Sequence, residues 1–199
     1  MPPLPPLRER KRRRAQEAIV DAAFALFAER GFADVTVTEI AERAEVGRTT
    51  FFRYFGDKQE VLFADEREMT DWLLSLRAEP TEPTATPPTL REALDQSRAA
   101  VRAICEAITA DAKRYRLHMQ LVSDNPELHD RSERKLLNLA DAMVSTLRAQ
   151  GMPELEATVA AHLALACVRS GRAVAGPDPE ALAPAVEDAF ALLLSTVPR

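Results

Sequence analysis

Residues 36–55, TVTEIAERAEVGRTTFFRYF, constrain the fold more than any other stretch, because they contain two short helical patterns separated by a three-residue break. Thr36 is a favourable N-cap and Glu39, three residues later, completes a capping box, so a first helix should begin at the next residue. Residues 45–47 interrupt the helical period, and a second helix should follow over 48–55. Two short helices joined by so tight a turn predict a helix-turn-helix motif.

The second helix should have one buried and one exposed face. Phe51 and Phe55 are four residues apart and should point inward, together with Val46 of the turn. The residues left outside are Arg48, Thr49, Phe52 and Arg53. Such a surface suits a DNA duplex, because arginine can bind guanine bidentately, a threonine methyl can contact thymine, and hydroxyl and guanidinium groups can bind phosphate. The alternative is an ordinary packed surface helix.

The order and spacing of four motifs within residues 14–62 resemble the DNA-binding domain of the tetracycline-repressor (TetR) family of bacterial regulators. AIVDAAFALFAERGF resembles the first helix of that family, TVTEIAERAEV the second, GRTTFFRYF the recognition helix, and FGDKQEVLF the start of the fourth helix. The resemblance implies an all-α homodimer with an N-terminal DNA-binding domain and a C-terminal domain that senses a small molecule.

The resemblance also implies roles for individual residues. Arg48 and Thr49 should read bases, with Thr38 of the preceding helix as a further reader. The residues expected at the DNA backbone are Thr36, Thr50, Phe52, Arg53, Tyr54 and Lys58. The chain departs from the family pattern twice: Gly47 stands where a serine usually caps the recognition helix, and Phe52 stands where a tyrosine usually binds phosphate. Without a hydroxyl, Phe52 can offer a sugar or a thymine methyl only an apolar contact.

The N-terminal segment is strongly basic. Residues 8–14 carry six positive charges and follow a proline-rich start, so residues 1–14 are predicted to form a flexible basic arm. Arg12, Arg13 and Arg14 are expected to lie along phosphates or to enter the minor groove. A solvated segment without a DNA role is the alternative.

The rest of the first 60 residues supports the motif. A first helix over 13–30 should end at Gly31 through a glycine C-cap, and Asp57 should cap a fourth helix that continues to about residue 77. The N-terminus of that fourth helix, with Lys58 in its first turn, is expected to bind phosphate. The predicted small core contains Ile19, Leu26, Phe27, Phe32, Val35, Ile40, Val46, Phe51 and Phe55. These patterns predict a DNA-binding domain over 15–60.

Residues 61–199 are predicted to form a helical dimerisation domain, which the resemblance implies also binds an effector. After a proline-rich linker over 79–89, helices are expected over 89–110, 111–122, 127–149, 154–175 and 179–197, giving about nine in the whole chain. Pro184 should kink the last helix or mark its beginning. The last two helices are rich in Ala and Leu, so they can pack on their own domain and on a second copy, and a homodimer would suit a pseudo-palindromic operator. A monomer with both helices buried is the alternative.

Composition and charge agree with a DNA-binding protein of the cytoplasm. The chain is 46% apolar and 29% charged, has no apolar run long enough to span a membrane, and shows no signal peptide. Its net charge of −5 divides into +1 for residues 1–60 and −6 for residues 61–199, so only the first part should face a polyanion. Cys105 and Cys167 lie in apolar helical patterns and are expected to be buried, reduced thiols.

No spacing indicates a metal, a cofactor or a catalytic centre. The three histidines, His118, His129 and His162, have no ligand spacing, and the chain has neither a glycine-rich phosphate loop nor a nucleophile elbow. The resemblance implies an effector pocket in the C-terminal helices. Candidate lining residues, each of which could also be plain core, are Trp72, Cys105, His118, Met119, Met143 and His162.

These patterns, together with what the resemblance implies, favour a sequence-specific repressor that an unknown small molecule releases from a palindromic operator. Three alternatives remain: a ligand-dependent activator, a ligand-binding or partner-binding protein of this fold that has lost DNA binding, and a helical enzyme. Gly47, Phe52 and the acidic total charge favour the second of these, whereas no motif favours the enzyme.

Overall fold

The computed structural model describes residues 7–64 and 87–197, which contain nine helices and no strand. The helices are α1 (Leu7–Arg30), α2 (Val37–Arg43), α3 (Arg48–Tyr54), α4 (Lys58–Leu62), α5 (Leu90–Thr109), α6 (Ala112–Asp124), α7 (Pro126–Ala149), α8 (Glu154–Ala175) and α9 (Pro179–Thr196). The prediction of an all-α fold is therefore confirmed. Two compact units divide the chain after Ala64. Trp72, the predicted continuation of the fourth helix to residue 77 and most of the 79–89 linker lie outside the described residues.

Helix α1 begins at Leu7, so the prediction of a flexible arm is wrong for residues 7–14. Arginine, lysine and glutamate have high helix propensity, and no glycine or proline interrupts the stretch. Arg13 and Glu17, one turn apart, also form an ion pair with Nε and Oε1 3.2 Å apart. The basic residues therefore lie on the exposed first two turns of a helix. At the other end of α1, Gly31 has a φ of 78° and donates its N–H to the Phe27 carbonyl at 2.9 Å, as a glycine C-cap does.

The turn between α2 and α3 is a Schellman motif built without glycine. Thr36 and Glu39 form the predicted capping box at the start of α2. At its end, Glu45 has a φ of 54° and donates its N–H to the Glu42 carbonyl at 3.1 Å, while Val46 donates to the Ala41 carbonyl at 2.9 Å. Gly47, in contrast, has an ordinary extended conformation at the N-cap of α3. The left-handed position therefore falls on a glutamate.

The core of the N-terminal unit agrees with most of the prediction. Ile19, Phe27, Ile40 and Phe51 are among its most buried side chains. Val46 is only half-buried, so the expectation that it anchors the turn from inside the core is wrong. Its backbone N–H closes the Schellman turn. The buried aromatic residues leave α3 with one face fixed and the other directed outward.

In the C-terminal unit, α8 and α9 form an antiparallel hairpin that packs against α5 and α7. Gly171 of α8 lies against Val186 of α9 so closely that a Cβ at this glycine would be 2.3 Å from Val186 Cγ2 and 2.8 Å from its backbone. Arg91 of α5 donates to the carbonyls of Leu194 and Val197 at 3.0 and 2.9 Å, so it caps the end of α9. The hairpin is therefore held at its crossing point and at its end.

Two local predictions concerned proline and cysteine in this unit. Helix α9 begins at Pro179 and continues through Pro184, so Pro184 does not mark its beginning. Pro184 lies in the second turn, where it has no N–H to donate to the Glu180 carbonyl, and the helix nevertheless continues through it. Cys105 and Cys167 are buried free thiols, as predicted.

Candidate nucleic-acid interface

The exposed face of α3 is the candidate DNA-reading surface. Phe51 has no exposed area and Phe55 has 3%, so one side of the helix is fixed in the core. Arg48 and Thr49, at the N-terminal end, are exposed, while Thr50 is half-buried. Thr38, the further base reader expected from α2, is also half-buried. The structure therefore presents a guanidinium, a hydroxyl and a methyl group on one turn of helix, which are the groups that base edges in a major groove can receive.

Phe52 extends the same face with an apolar surface. Its side chain is 49% exposed and meets Phe51 edge to face, with ring centroids 5.5 Å apart. One ring therefore anchors the helix while its neighbour stands outward. The exposed ring can contact a sugar or a thymine methyl but cannot donate a hydrogen bond to phosphate.

Arg53 and Tyr54 form a joint polar group at the C-terminal end of α3. Arg53 Nη2 donates to Tyr54 Oη at 3.3 Å, and the guanidinium carbon lies 4.9 Å from the ring centroid. Stacking on the ring limits the rotamers of a long side chain. A guanidinium and a phenol hydroxyl are thereby held side by side, an arrangement suited to a phosphate.

Two ion pairs join the end of α1 to α2 and so determine how the motif is held. Arg43 donates to Glu29 at 2.7 Å and Arg30 donates to Glu39 at 2.8 Å. The Arg43 hydrogen bond holds the pKa of Glu29 below its ordinary value. The pKa of Glu39 falls to about 2, chiefly because Arg30 donates to its carboxylate and secondly because the Thr36 hydroxyl and N–H do so. The capping box and the interhelical ion pair therefore share one carboxylate.

The capping box also occupies the hydroxyl that was expected at a phosphate. Thr36 Oγ1 donates to Glu39 Oε2 at 2.7 Å and accepts from the Glu39 N–H at 3.3 Å. Its phosphate contact stays a prediction, and the structure shows a capping role.

The geometry of Lys58 disagrees with a phosphate-binding role. Its Nζ donates to the carbonyls of Phe32, Ala33 and Val35 at 2.7, 3.2 and 2.9 Å. An ammonium group has three N–H donors, and all three are used. Burial lowers the pKa of Lys58, and the nearby Asp34 carboxylate acts in the opposite direction. The side chain therefore points into the loop between α1 and α2. The sequence missed this because the loop lies 23 to 26 residues away along the chain.

The basic residues of α1 form a second candidate DNA contact. Arg12, Arg13 and Arg14 are exposed on the first turns of the helix. Because three consecutive residues span about 200° around a helix, they project in different directions. These residues therefore form a helix that presents charge on several sides, whereas a flexible arm could follow a groove.

The predicted effector-site residues separate into an internal and an external group. Cys105 and Met143 are buried in one apolar cluster, and Met119 packs against it. His118 is half-buried, whereas His162 is exposed and its Nδ1 lies 2.9 Å from the Thr158 carbonyl oxygen, so His162 does not line the core. Trp72 lies outside the described residues. In the described part of the chain, no group of three or more histidine, cysteine, aspartate or glutamate side chains is arranged to hold a metal ion.

Tyr115 is a residue that sequence reasoning missed. It is only 4% exposed, belongs to the same cluster as Cys105 and Met143, and its buried Oη has no hydrogen-bond partner among the described residues. Burial raises the pKa of Tyr115, and it raises the pKa of Cys105 to about 11. Its spacing of four from Met119 and seven from Val122 was the available signal, because it puts Tyr115 on the apolar side of α6.

Comparison with known proteins identifies the N-terminal unit. A family model described as bacterial regulatory proteins of the tetR family matches residues 19–64. The regulator TcmR from Streptomyces glaucescens is 46% identical over 57 residues, which are 29% of this chain and 25% of TcmR. The regulator MftR from Mycobacterium tuberculosis is 33% identical over 119 residues, which are 60% of this chain and 57% of MftR. Residues 19–64 therefore match the DNA-binding part of the TetR family.

The likeness of this chain to solved structures extends beyond the motif. The crystal structure of Thermus thermophilus FadR, a TetR-family transcriptional repressor in complex with lauroyl-CoA, matches with a TM-score of 0.53 and 25% identity. That match covers 92% of this chain and 96% of FadR. The chain spans a quarter of TcmR and just over half of MftR, the two curated relatives compared. Among the described residues, no helix combines the length and the apolarity needed to cross a membrane.

Proposed function

We propose that this protein is a sequence-specific, DNA-binding transcriptional repressor of the TetR family that acts as a homodimer in the bacterial cytoplasm. The observation that carries the proposal is the exposed pair Arg48 and Thr49, held outward on a helix whose other face is anchored by the buried Phe51 and Phe55. Arg53 and Tyr54 are proposed to bind phosphate on the same helix, and the basic turns of α1 to add further phosphate contacts. The match of residues 19–64 to the tetR family of bacterial regulatory proteins supports this assignment.

The division of DNA contacts can be tested with a duplex that the wild-type protein selects from a random library. Arg48→Ala should weaken binding to that duplex by about 1–3 kcal/mol and relax preference at one base pair, because an arginine that reads a base carries sequence information. Arg12→Ala is the matched control, since it should weaken all duplexes alike. Fluorescence anisotropy against the duplex and its single-base variants measures both. Equal loss of preference in the two variants would contradict the assigned roles.

The proposed homodimer uses α8 and α9. Along one side of α8, Leu155, Val159 and Val174 are exposed, and Leu192 is exposed on α9. These helices already fill the core of their own unit with their other sides, and large apolar residues repeated on an outer face indicate a second packing surface. A second copy of the same hairpin would form a four-helix interface and present two recognition helices to a pseudo-palindromic operator.

The proposed effector is a largely apolar small molecule with a hydrogen-bond acceptor, bound in the C-terminal unit. The Tyr115 hydroxyl is the polar group that would receive the acceptor, because a buried donor without a partner is costly until it is paired. FadR, which has a related fold, binds lauroyl-CoA, whose acyl chain is apolar. An effector that prefers a conformation with the wrong spacing between recognition helices would release the dimer from DNA.

Displacement of the fluorescent probe 8-anilinonaphthalene-1-sulfonate tests the role of Tyr115. In Tyr115→Phe, acyl and phenolic compounds with a hydrogen-bond acceptor should bind more weakly, whereas purely apolar analogues should bind as they do to the wild type. Tyr54→Phe, a change in the other tyrosine of the chain, is the matched control. If Tyr115→Phe leaves both classes of compound unaffected, Tyr115 is not the polar anchor.

A further inference from the structure

Lys58 lies at the start of α4, but its charged end belongs to the loop between α1 and α2. Its three hydrogen bonds reach the carbonyl oxygens of Phe32, Ala33 and Val35, all within 3.2 Å, and its Nζ also lies 4.4 Å from the Phe32 ring centroid. Four contacts from one ammonium group thus fix a four-residue segment of irregular backbone.

The loop segment that Lys58 contacts lies directly before α2. Val35, the last of the three acceptors, directly precedes Thr36, the N-cap of α2. The capping box then fixes the first turn of α2, and the Schellman turn joins α2 to α3. A movement of the loop would therefore move the beginning of α2 and, through a tight turn, the exposed face of α3.

Phosphate binding by Lys58 would compete with this arrangement. To reach a phosphate, the ammonium group would have to leave carbonyl oxygens, two of them at 2.7 and 2.9 Å in part-buried surroundings. Those carbonyls would lose the ammonium group as a partner, and a backbone carbonyl that is shielded from water costs free energy when it has no partner. In the DNA-free protein the charge of Lys58 is thus already paired with the carbonyl dipoles of the α1–α2 loop.

We propose that Lys58 is a positioning residue for DNA reading: it holds the α1–α2 loop, and through α2 the recognition helix, without neutralising a phosphate. The inference rests on the proposed DNA-binding function. It predicts that loss of Lys58 lowers the affinity for the selected duplex relative to a scrambled duplex, while the number of counterions released remains the same.

Two substitutions of Lys58, one that removes its positive charge and one that keeps it, test the proposal. Lys58→Met removes the charge, and Lys58→Arg keeps it in a planar fork that cannot direct three donors from one atom. Both variants should bind the selected duplex at least tenfold more weakly, should bind the scrambled duplex as the wild type does, and should keep the wild-type slope of log affinity against log KCl concentration. Lys113→Met removes the same charge from an exposed position of α6, outside the proposed DNA contacts, and controls for net charge.

Three results would overturn the inference. A phosphate ligand predicts that Lys58→Met loses affinity for both duplexes with a slope reduced by about 0.9, and that Lys58→Arg restores both. A merely structural lysine predicts a lower melting temperature but an unchanged ratio of the two affinities once circular dichroism shows the variants to be folded. If both the ratio of the two affinities and the melting temperature are unchanged, Lys58 has no role in positioning or in stability. If the wild-type protein selects no duplex at all, the proposed function fails instead, so the two failures are distinguishable.

Discussion

At the scale of single residues, Glu45 adopts a strained left-handed backbone conformation within the helix-turn-helix motif. A left-handed backbone puts the Cβ of an L-residue close to the following carbonyl, which costs roughly 1–2 kcal/mol and explains why glycine usually occupies a helix C′ position. Here Glu45 has a φ of 54°, and the next residue but one, Gly47, has an extended backbone that needs no glycine. The sequence therefore shows a glycine in the turn but does not indicate that Glu45 takes the left-handed conformation.

Glu45→Gly should stabilise the N-terminal unit by about 0.5 kcal/mol, because the relief of left-handed strain exceeds the larger backbone entropy that glycine loses on folding. Hydrogen exchange of the protected amides in α2 and α3 measures the change. Glu45→Ala is the matched control, since alanine retains a Cβ and should bring no such gain. Equal protection in both variants would show that the φ of 54° carries no strain.

At the scale of elements, charge and close packing act at particular helix junctions. Glu29 and Glu39 pair with arginines across the α1–α2 junction, and exposed pairs of this kind contribute little individually. Glu39 differs because its carboxylate also belongs to the capping box. In the C-terminal unit the junction of α8 and α9 depends instead on the absence of a side chain at Gly171.

Glu39 should make the stability of the motif depend on acid pH. Its pKa is lowered from an ordinary 4.5 to about 2, so its contribution is fully present above pH 4.5 and is lost as the pH falls towards 2. Glu39→Gln should therefore be less stable at neutral pH and lose less stability between pH 4.5 and 2. Amide exchange in α2 across this range measures the slope, with the exposed Glu42→Gln as control. A wild-type slope in Glu39→Gln would refute the linkage.

Gly171→Ala should destabilise the C-terminal unit by about 1–3 kcal/mol, since the new Cβ would overlap Val186 and its backbone. Helix propensity alone favours alanine by at most about 1 kcal/mol, so the overlap should decide the sign. Urea unfolding followed by circular dichroism measures the effect. Ser170→Ala, at the neighbouring exposed position, should change stability only slightly. A stabilised Gly171→Ala would mean that α8 and α9 can separate without loss.

At the scale of the whole molecule, the charge and the apolar surface are distributed between the two units in a way that fits a DNA-binding dimer. The positive balance lies in residues 1–60 and the negative balance in residues 61–199. The C-terminal hairpin leaves Leu155, Val174 and Leu192 exposed to 75, 81 and 72%. In the proposed complex each recognition helix reads one half-site, so the proposed affinity for an operator depends on association of two copies.

Val159→Asp combined with Leu192→Asp should convert the proposed dimer into a monomer, because two aspartates would be buried beside apolar groups in each copy. Sedimentation equilibrium measures the mass, and operator affinity should fall with it. Leu137→Asp, which changes an exposed apolar residue of α7, is the control and should leave the mass unchanged. A monomeric wild-type protein, or a double variant that remains dimeric, would exclude this interface.

The sequence by itself determined the features that depend on neighbours within one or two helical turns. The capping box at Thr36 and Glu39, the buried pair Phe51 and Phe55, and the outward Arg48 all follow from spacing, which sets helix caps and helix faces. For residues 7–14 the basic charge predicted a flexible arm. They form a helix instead, because arginine and lysine favour helix.

Only the tertiary structure decided where long side chains end and which backbone positions carry strain. Lys58 meets a loop more than 20 residues away, Tyr115 has its hydroxyl enclosed by several helices, and Gly171 is needed because Val186 crosses it. None of these can be read from periodicity, because periodicity gives the direction of a side chain on its own element and not the group that it meets. The partner of a flexible charged side chain depends on how elements distant in sequence pack together.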